Sequence, residues 1–278
     1  MKKLKVWGRP SSTNTQKVLW MIEECRESPE VCIDAQLIHA SGWLGPGKNT
    51  FDDSSTWDKI VLSDSYREKN PNPTVPTIEY ELPNGQMYSL WESNSIVRYL
   101  AMCFRPDLYG NGSTSAEKAC TASKWMDWQL QTNLTGRGKG LIIIDHAVRL
   151  PPAQRDMAIL SEAAKEMGSR LAPVEFQLSK TKYLGGEEFS VGDIPVGVFV
   201  NRWKLAIEKG KMISKPGNSV DFSEVKETPH IDRWYKLLMD RPAFIRGCYT
   251  PEQLHMELPT SAPFADWLRD YNETYQIV

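Results

Sequence analysis

The chain has 278 residues, of which 41% are hydrophobic, and its 33 Lys+Arg against 35 Asp+Glu give a net charge of −2. A chain of this length can bury a large core and fits two domains as well as one. The balanced charge offers no basic surface for nucleic acid, and the longest apolar runs are far below the roughly 18 residues of a membrane span. We therefore expect neither nucleic acid nor membrane as a partner.

The five cysteines and four histidines bear on the compartment and on metal binding. The cysteines are odd in number and form no C-x-x-C pair or metal-ligand spacing, which is typical of reduced thiols in the cytosol. The histidines are equally dispersed, so we expect no metal site. Lysines near the start are followed by no apolar stretch, and the sequence thus predicts a cytoplasmic protein without a signal peptide.

The first hundred residues combine strand and helix signals. A short apolar run at residues 4–7 predicts a strand that ends in a turn. Thr13 followed by Gln16 has the form of a capping box and predicts a helix start. Alternating apolar positions over residues 31–38 predict a second strand, which completes a parallel β-α-β unit. The predicted apolar face of the helix carries Val18, Leu19, Ile22 and Cys25.

The second half of this region predicts a long excursion, a hairpin and a helix. Residues 40–70 are rich in Ser, Asp, Asn, Gly and Lys, and loops of this length are often functional. Asn84-Gly85 lies between β-prone runs at 75–82 and 86–90, which predicts two antiparallel neighbouring strands. A helical apolar pattern follows from Ser95.

From about residue 104 only helical patterns occur, at 116–134, 152–179 and 231–239. The clearest helix start is predicted at Ser190, whose hydroxyl can cap the amide of Asp193 while the Asp193 carboxylate returns to the Ser190 amide. Phe189 and Ile194 are placed to form a hydrophobic staple at the same start. The sequence thus predicts an α/β first domain and an all-helical second domain.

The first candidate functional motif is the run Ser11, Ser12 and Asn14, where strand one leads into helix one. Helix N-termini expose unpaired amides and a partial positive charge, so they stabilise an anion, including a thiolate. A serine hydroxyl that donates to that anion would add to the effect. The alternative is plain capping, because these residue types favour helix starts in any protein.

The second motif is Val75-Pro76, which directly precedes the third strand. A cis bond there would turn the Val75 amide and carbonyl outward, where they could pair with an extended peptide ligand. The alternative is a proline-rich loop that enters an edge strand.

The third motif is Glu92-Ser93, at the start of the next helix. A carboxylate there can meet a ligand ammonium, while the serine hydroxyl and amide meet a ligand carboxylate. The free amino-acid end of a ligand carries both an ammonium and a carboxylate, so it needs both kinds of partner. The alternative is again a helix cap.

These motifs in this order, followed by a helical half with a Ser-x-x-Asp box, resemble the cytosolic glutathione transferase family over nearly the whole chain. The resemblance implies a thioredoxin-like N-terminal domain (βαβ-ββα), an all-α C-terminal domain, glutathione as co-substrate, a role in detoxification and a homodimer. Its most specific pieces are Ser12-x-Asn14-x-x-Lys17-Val18, Val75-Pro76-Thr77, the run from Trp91 to Leu100, and Phe189-Ser190-Val191-Gly192-Asp193.

The resemblance places a thioredoxin-like glutathione-binding domain at residues 1–103 and the helical domain at 104–278. It implies a serine-type enzyme that activates the glutathione thiol as a thiolate and transfers it to a hydrophobic electrophile, with Ser12 as the catalytic hydroxyl and Asn14 in a secondary role. The expected glutathione-binding residues are Ser11, Val75, Pro76, Glu92 and Ser93. The expected substrate-pocket residues are Trp125, Trp128 and Gln129, for which ordinary helix packing is the alternative.

The chain departs from the family pattern just before Val75. Relatives often carry Gly and Lys or Gln there, whereas this chain has Pro73 and Thr74, so the partner of the glycyl carboxylate is open among Lys48, Lys59, Arg67 and Lys69. A glutathione-dependent reductase, lyase or dehalogenase and a non-catalytic interaction module are the alternative functions. We expect substrate specificity to reside in residues 40–70 and in the tail 247–278.

Overall fold

The computed structural model describes residues 2–9, 12–40, 60–110, 115–132, 156–213, 223 and 225–248. These residues form two compact units. The first unit contains the described residues up to Asp107 together with 241–248, and the second contains those from Leu108 to Asp240.

The first unit is built on a four-stranded mixed sheet. The strands lie in the order β2-β1-β3-β4, with β1 and β2 parallel and the other two pairs antiparallel. This β-α-β unit followed by a hairpin and a helix confirms the thioredoxin-like fold predicted from the sequence. The elements are β1 (Lys2–Gly8), α1 (Thr13–Arg26), β2 (Ile33–His39), α2 (Asp64–Arg67), β3 (Thr77–Glu81), β4 (Met87–Trp91), α3 (Ser93–Phe104) and α4 (Pro106–Tyr109), where the chain passes to the second unit.

The core of the first unit lies where α1 and α3 meet the sheet. Inward positions of the strands, such as Val6 and Ile78, are fully buried, and so is Ile96 of α3. The predicted apolar face of α1 is confirmed, because all four of its residues have no exposed surface. Trp20 and Met21 of α1 are equally buried, so this helix is covered on more than one side.

The hairpin predicted at Asn84-Gly85 is confirmed. Thr77 pairs with Trp91 and Glu81 with Met87 in an antiparallel register. Gly85 has a φ of +80°, a conformation that glycine adopts at little cost, and the Asn84 carboxamide oxygen accepts from the Gln86 amide at 3.0 Å.

The capping box predicted at Thr13 and Gln16 is wrong. Ser12 is the N-cap, with an extended backbone and a side-chain oxygen that accepts from the Thr15 amide at 3.4 Å. The Gln16 side chain instead donates to the carbonyl of Cys248 at 2.7 Å. A residue distant in sequence thus takes the side chain that the local pattern assigned to the cap.

The described part of the second unit is helical, as predicted, with one isolated β-bridge between Tyr183 and Gly186. Its helices after α4 are α5 (Ser115–Gln131), α6 (Met157–Arg170), α7 (Ala172–Leu178), α8 (Asp193–Ile213) and α9 (Pro229–Met239). Across the described ranges of the chain, no helix combines the length and the apolar character needed to cross a membrane.

The start of α8 confirms one half of the predicted box. The Ser190 amide donates to Asp193 Oδ2 at 2.9 Å, as predicted. The Ser190 hydroxyl, however, accepts from the Gly192 amide at 3.3 Å rather than from Asp193. Asp193 Oδ1 also accepts from the Leu184 amide and from Trp234 Nε1, both at 2.9 Å, so its carboxylate joins three segments of the unit.

The last described helix, α10 (Pro242–Cys248), belongs to the first unit and packs on α1. Arg241 bonds to the Glu24 carboxylate, and Arg246 Nε donates to Glu23 Oε2 at 2.6 Å. Residues 241–248 thus contact the first unit through apolar and ionic side chains, although they follow the helices of the second unit in sequence. The sequence-based division at residue 104 stays a prediction.

Candidate functional site

The strand register brings the three sequence motifs to one edge of the sheet. Thr77, the first residue of β3, pairs with Trp7 near the end of β1 on one side and with Trp91 at the end of β4 on the other. Neighbouring strands lie about 4.8 Å apart, so the chain segments that follow β1, precede β3 and follow β4 share a strip roughly 10 Å wide. Ser12, Val75-Pro76 and Glu92-Ser93 lie on these three segments.

Gly8 permits the close approach of β1 to the start of α1. A Cβ at this position would lie 2.6 Å from the Thr15 hydroxyl oxygen and 2.7 Å from its methyl carbon, too close for any side chain. The absence of a side chain at Gly8 thus lets the first turn of α1 lie against the end of β1, beside the Val75-Pro76 segment.

Ser12 caps α1 in a way that leaves its hydroxyl proton available. The oxygen accepts from the Thr15 amide, so the O–H bond can still donate to a ligand. The first turn of α1 contains no acidic residue, so no carboxylate offsets the partial positive charge of the helix N-terminus. Capping and thiolate stabilisation, posed as alternatives by the sequence, are compatible at this residue.

Two neighbours of Ser12 were also predicted to take part. Ser11 lies outside the described residues. Asn14 is half-buried, and its carboxamide oxygen is buried without a hydrogen-bond donor among the residues that the structure describes. Its secondary role stays a prediction.

The Val75-Pro76 peptide bond is cis, which is one of the two possibilities that the sequence left open. The described residues supply no hydrogen-bond partner to the Val75 amide or carbonyl. The preceding residue, in contrast, is anchored, because the Thr74 carbonyl accepts from Tyr66 Oη at 2.7 Å and from Asn70 Nδ2 at 3.0 Å. The segment 66–70 therefore holds the chain before the cis bond while the Val75 backbone stays available.

Glu92 and Ser93 form the start of α3. Glu92 is exposed and has a φ of +71°, the one positive value at a non-glycine residue in the described ranges. Backbone strain of this kind persists where the surrounding structure imposes it, and such positions cluster at functional sites. Ser93 is buried, and its hydroxyl oxygen accepts from Lys17 Nζ at 3.4 Å.

Lys17 is the residue at this edge whose role the sequence analysis missed. Its side chain lies on α1 with no exposed surface, and burial lowers its pKa to about 7, although the nearby Glu92 carboxylate acts in the opposite direction. The sequence contained one signal for such a role, because Lys17 directly precedes Val18, the first residue of the predicted apolar face of α1. The contact to Ser93, 76 positions away, required the fold.

The partner of the glycyl carboxylate remains a choice among the predicted cations. Lys69 pairs with the buried Glu79 carboxylate at 3.2 Å, which also accepts from Trp7 Nε1. Arg67 is exposed at the end of α2. Lys48 and Lys59 lie outside the described residues.

The predicted substrate-pocket residues lie on α5 in the second unit. Trp125 and Gln129 are buried, Trp128 is half-buried, and the two indole rings meet edge to face with centroids 5.5 Å apart. Trp128 is thus the more accessible of the two indoles, and the assignment of all three residues to a pocket stays a prediction.

Two further features concern the cysteine thiols and the possible metal ligands of the described residues. All five cysteines are free, and burial raises the pKa of the Cys25 thiol to about 12, which keeps it protonated. Within the described ranges, no group of three or more His, Cys, Asp or Glu side chains is placed to hold a metal ion.

Comparisons with known proteins agree with this architecture. No family model matches the chain. The sequence is 31% identical to "Glutathione S-transferase GstB" of Escherichia coli K12 over 242 residues, which cover 86% of this chain and 94% of that protein. It is also 25% identical to "Disulfide-bond oxidoreductase YghU" of the same organism, over 68% of this chain and 60% of that protein.

Solved structures include a relative at the same level of identity. A theta class glutathione S-transferase from the citrus canker pathogen Xanthomonas axonopodis pv. citri, with glutathione bound, superposes with a TM-score of 0.64 at 31% identity. The alignment covers 90% of this chain and 99% of that structure. The extent of these matches, together with the thioredoxin-like sheet and the helical second unit, shows that the chain belongs to the glutathione S-transferase family of enzymes.

Proposed function

We propose that this protein binds glutathione along the edge formed by Ser12, Val75 and Ser93, ionises the glutathione thiol, and transfers it to a hydrophobic electrophile. The observation that carries the proposal is the register in which Thr77 pairs with both Trp7 and Trp91, because it collects the three motifs on one strip. The glutathione bound to the related Xanthomonas enzyme supports the same ligand here.

The strip offers complementary groups for each part of glutathione. The unpaired Val75 amide and carbonyl suit the backbone of the cysteinyl residue, which can pair with them as an added strand does. The exposed Glu92 carboxylate suits the γ-glutamyl ammonium, and Ser93 at the start of α3 suits the γ-glutamyl carboxylate.

Ser12 and the start of α1 supply the activation. A free thiol ionises near pH 8.5, and lowering its pKa to about 6.5–7 requires roughly 2–3 kcal/mol of preferential thiolate stabilisation. A hydrogen bond to a charged group contributes about 1.5–3 kcal/mol, and a helix N-terminus adds about 0.3–1 kcal/mol. The Ser12 hydroxyl and the acid-free first turn are together sufficient.

The transfer step is a nucleophilic displacement or addition. The thiolate lone pair forms a C–S bond to the electrophilic carbon, and the leaving group departs with the electrons of its own bond. With an epoxide, the opened oxygen instead takes up a proton from water. We assign the electrophile pocket to Trp125, Trp128 and Gln129 and its specificity to residues 40–70 and 247–278, and we expect a cytoplasmic homodimer that acts in detoxification.

Reduction through a glutathione mixed disulfide is a second candidate, favoured by the similarity to the oxidoreductase YghU. In that reaction the Ser12-bound thiolate attacks a sulfur of the substrate disulfide, and the displaced thiolate leaves and takes up a proton. A second glutathione thiolate then attacks the glutathione sulfur of the mixed disulfide, which releases the second substrate thiol and forms glutathione disulfide. The two reactions share the activated thiolate and differ in the electrophile.

Turnover with matched substrates tests the proposal. We expect conjugation of glutathione with a halogenated aromatic or an epoxide, and a loss of about 100-fold in kcat/KM at neutral pH for Ser12→Ala. Thr13→Ala, which removes the adjacent hydroxyl, is the matched control and should retain activity. Retention of the wild-type protein on immobilised glutathione separates an enzyme from a non-binding interaction module. Turnover of disulfides alone would instead favour the reductase.

A further inference from the structure

We propose that Lys17 is a positioning residue for the γ-glutamyl carboxylate: its Nζ donates to Ser93 Oγ, directs the Ser93 hydroxyl proton toward the ligand, and places a positive charge behind that contact. This inference rests on the proposed function, since it concerns the same ligand site.

The direction of the hydrogen bond follows from the chemistry of the two groups. A lysine ammonium only donates, whereas a hydroxyl has one proton and two acceptor lone pairs. When Lys17 is charged, Ser93 Oγ therefore accepts from it, and the Ser93 proton must find another acceptor. The described residues provide no second partner for Ser93, so a carboxylate at the start of α3 would complete the geometry.

The burial of Lys17 is costly unless its charge is used. The side chain has no exposed surface, and taking an ammonium out of water is unfavourable without a counter-charge. A methionine of similar length would fill the same space without that cost. The lowered pKa of about 7 indicates that the amine gives up part of its charge near neutral pH while no ligand carboxylate is present.

The charges of the γ-glutamyl end are opposite to those at the start of α3. The Glu92 carboxylate lies near enough to act on the charge of Lys17. Three arginines near α1 are held in other ion pairs: Arg105 with Asp107, Arg241 with Glu24, and Arg246 with Glu23 and Glu27. The γ-glutamyl end brings one ammonium, which faces the Glu92 carboxylate, and one carboxylate, which faces the Ser93–Lys17 pair. Each charge of the ligand thus meets a charge of opposite sign.

Binding of S-methylglutathione tests this role without the thiol chemistry. We expect Lys17→Met to weaken binding about tenfold at neutral pH, as the loss of a charge-assisted interaction of roughly 1.4 kcal/mol would. Ser93→Ala should weaken it by a similar factor. The double variant should bind much as Ser93→Ala does, because Lys17 acts through Ser93. Lys5→Met, which removes an exposed lysine from β1, is the control and should bind as the wild type does.

A ligand without the relevant carboxylate isolates the contact. 4-Aminobutyryl-S-methylcysteinylglycine keeps the ammonium but lacks the γ-glutamyl carboxylate, so it should bind the wild type and Lys17→Met equally. In catalysis, Lys17→Met should raise the KM for glutathione and leave kcat at saturation within about twofold of wild type.

A wild-type measurement keeps the inference testable should Lys17→Met not fold. Calorimetry at about pH 7.5 in buffers of different ionisation enthalpy should show partial proton uptake with S-methylglutathione, because a carboxylate beside Lys17 raises the pKa of its amine. The analogue without the carboxylate should show much less.

The outcomes of these experiments separate the two proposals. Unchanged affinity in Lys17→Met, additive effects of the two variants, or equal proton uptake with both ligands would overturn the role of Lys17. Failure of the wild type to bind S-methylglutathione would overturn the proposed function instead.

Discussion

Arg241 holds the carboxylate of Glu24 at two points, with Nε 2.8 Å from Oε1 and Nη2 2.6 Å from Oε2. The same carboxylate accepts from Trp20 Nε1 at 2.8 Å. Glu24 lies on α1 and Arg241 directly precedes α10, so this pair ties the last described helix to the helix that begins beside Ser12. The position of α1 thus depends on contacts made more than 200 residues further along the chain.

Removal of Arg241 should destabilise the first unit. Arg241→Met leaves the Glu24 carboxylate, whose side chain is 1% exposed, without its cation. Because Arg241 itself is 27% exposed, we expect a loss of about 2–3 kcal/mol in the free energy of unfolding, below that for a fully buried pair. Urea denaturation measures the loss.

Lys118→Met is the matched control for that substitution. It breaks the pair with Glu188, which is 81% exposed, and should cost less than about 1 kcal/mol. Equal losses in the two variants would show that the Glu24 contact does not hold α10 on α1.

The contact between α10 and α1 should tolerate no side chain at Gly247. A Cβ there would lie 2.5 Å from the Trp20 backbone nitrogen, and a backbone atom inside a helix cannot move aside. We expect Gly247→Ala to destabilise the protein by about 1–3 kcal/mol, as overpacking does.

Gly168→Ala, inside α6, provides the contrast. There the nearest atoms would lie at an ordinary 3.6 Å, so this variant should be neutral or stabilising by up to about 1 kcal/mol. Thermal melts of both variants give the comparison, and a neutral Gly247→Ala would contradict the packing described.

The sequence predicted those features that depend on local chemistry. Asn84-Gly85 predicted the hairpin because a positive φ at Gly85 is a property of the residue itself. The alternating apolar residues predicted β2, and the periodic ones predicted the buried face of α1.

Features that depend on distant partners were wrong or missed. Gln16 has the spacing of a capping box, but its amide bonds to the Cys248 carbonyl. The sequence alone shows Lys17 as an ordinary helical lysine, because its contact with Ser93 forms only in the folded chain. The packing of α10 on α1 was missed for the same reason, because the ion pairs of Arg241 and Arg246 with α1 leave no local pattern in the sequence.

The lowered pKa of Lys17 predicts a pH-dependent stability difference between wild type and Lys17→Met. Its pKa of about 7 in the folded state lies below the roughly 10.4 of an unfolded lysine. Below pH 7 the amine is charged in both states, and the folded state bears the full cost of the buried charge. Between pH 7 and about 10 the unfolded chain binds more protons, so the wild type gains stability relative to the variant, by about 4–5 kcal/mol in all.

Urea denaturation of both proteins across this pH range measures the difference. A constant offset between the two proteins over this range would contradict the burial of the charge.

Asp193 should be among the most sensitive positions of the second unit. Asp193→Ala leaves the Ser190 amide, the Leu184 amide and the indole nitrogen of Trp234 without an acceptor in the interior. We expect a loss of about 3–5 kcal/mol in the free energy of unfolding.

Asp156→Ala removes the N-cap of α6, whose carboxylate accepts from Ala158 and Ile159 at the surface, and should cost only about 1 kcal/mol. Similar losses in the two variants, measured by chemical denaturation, would show that the buried carboxylate of Asp193 is no more than a helix cap.

The most direct test of serine-assisted activation is the titration of the glutathione thiol on the enzyme, followed by the ultraviolet absorbance of the thiolate. We expect an apparent thiol pKa of about 6.5–7 for the wild-type complex and a return toward about 8.5 in Ser12→Ala, with Thr13→Ala unchanged. Ser11→Ala and Asn14→Ala, titrated alongside, should shift the pKa less than Ser12→Ala does. A Ser12→Ala complex that binds glutathione and titrates as the wild type does would show that Ser12 does not activate the thiol.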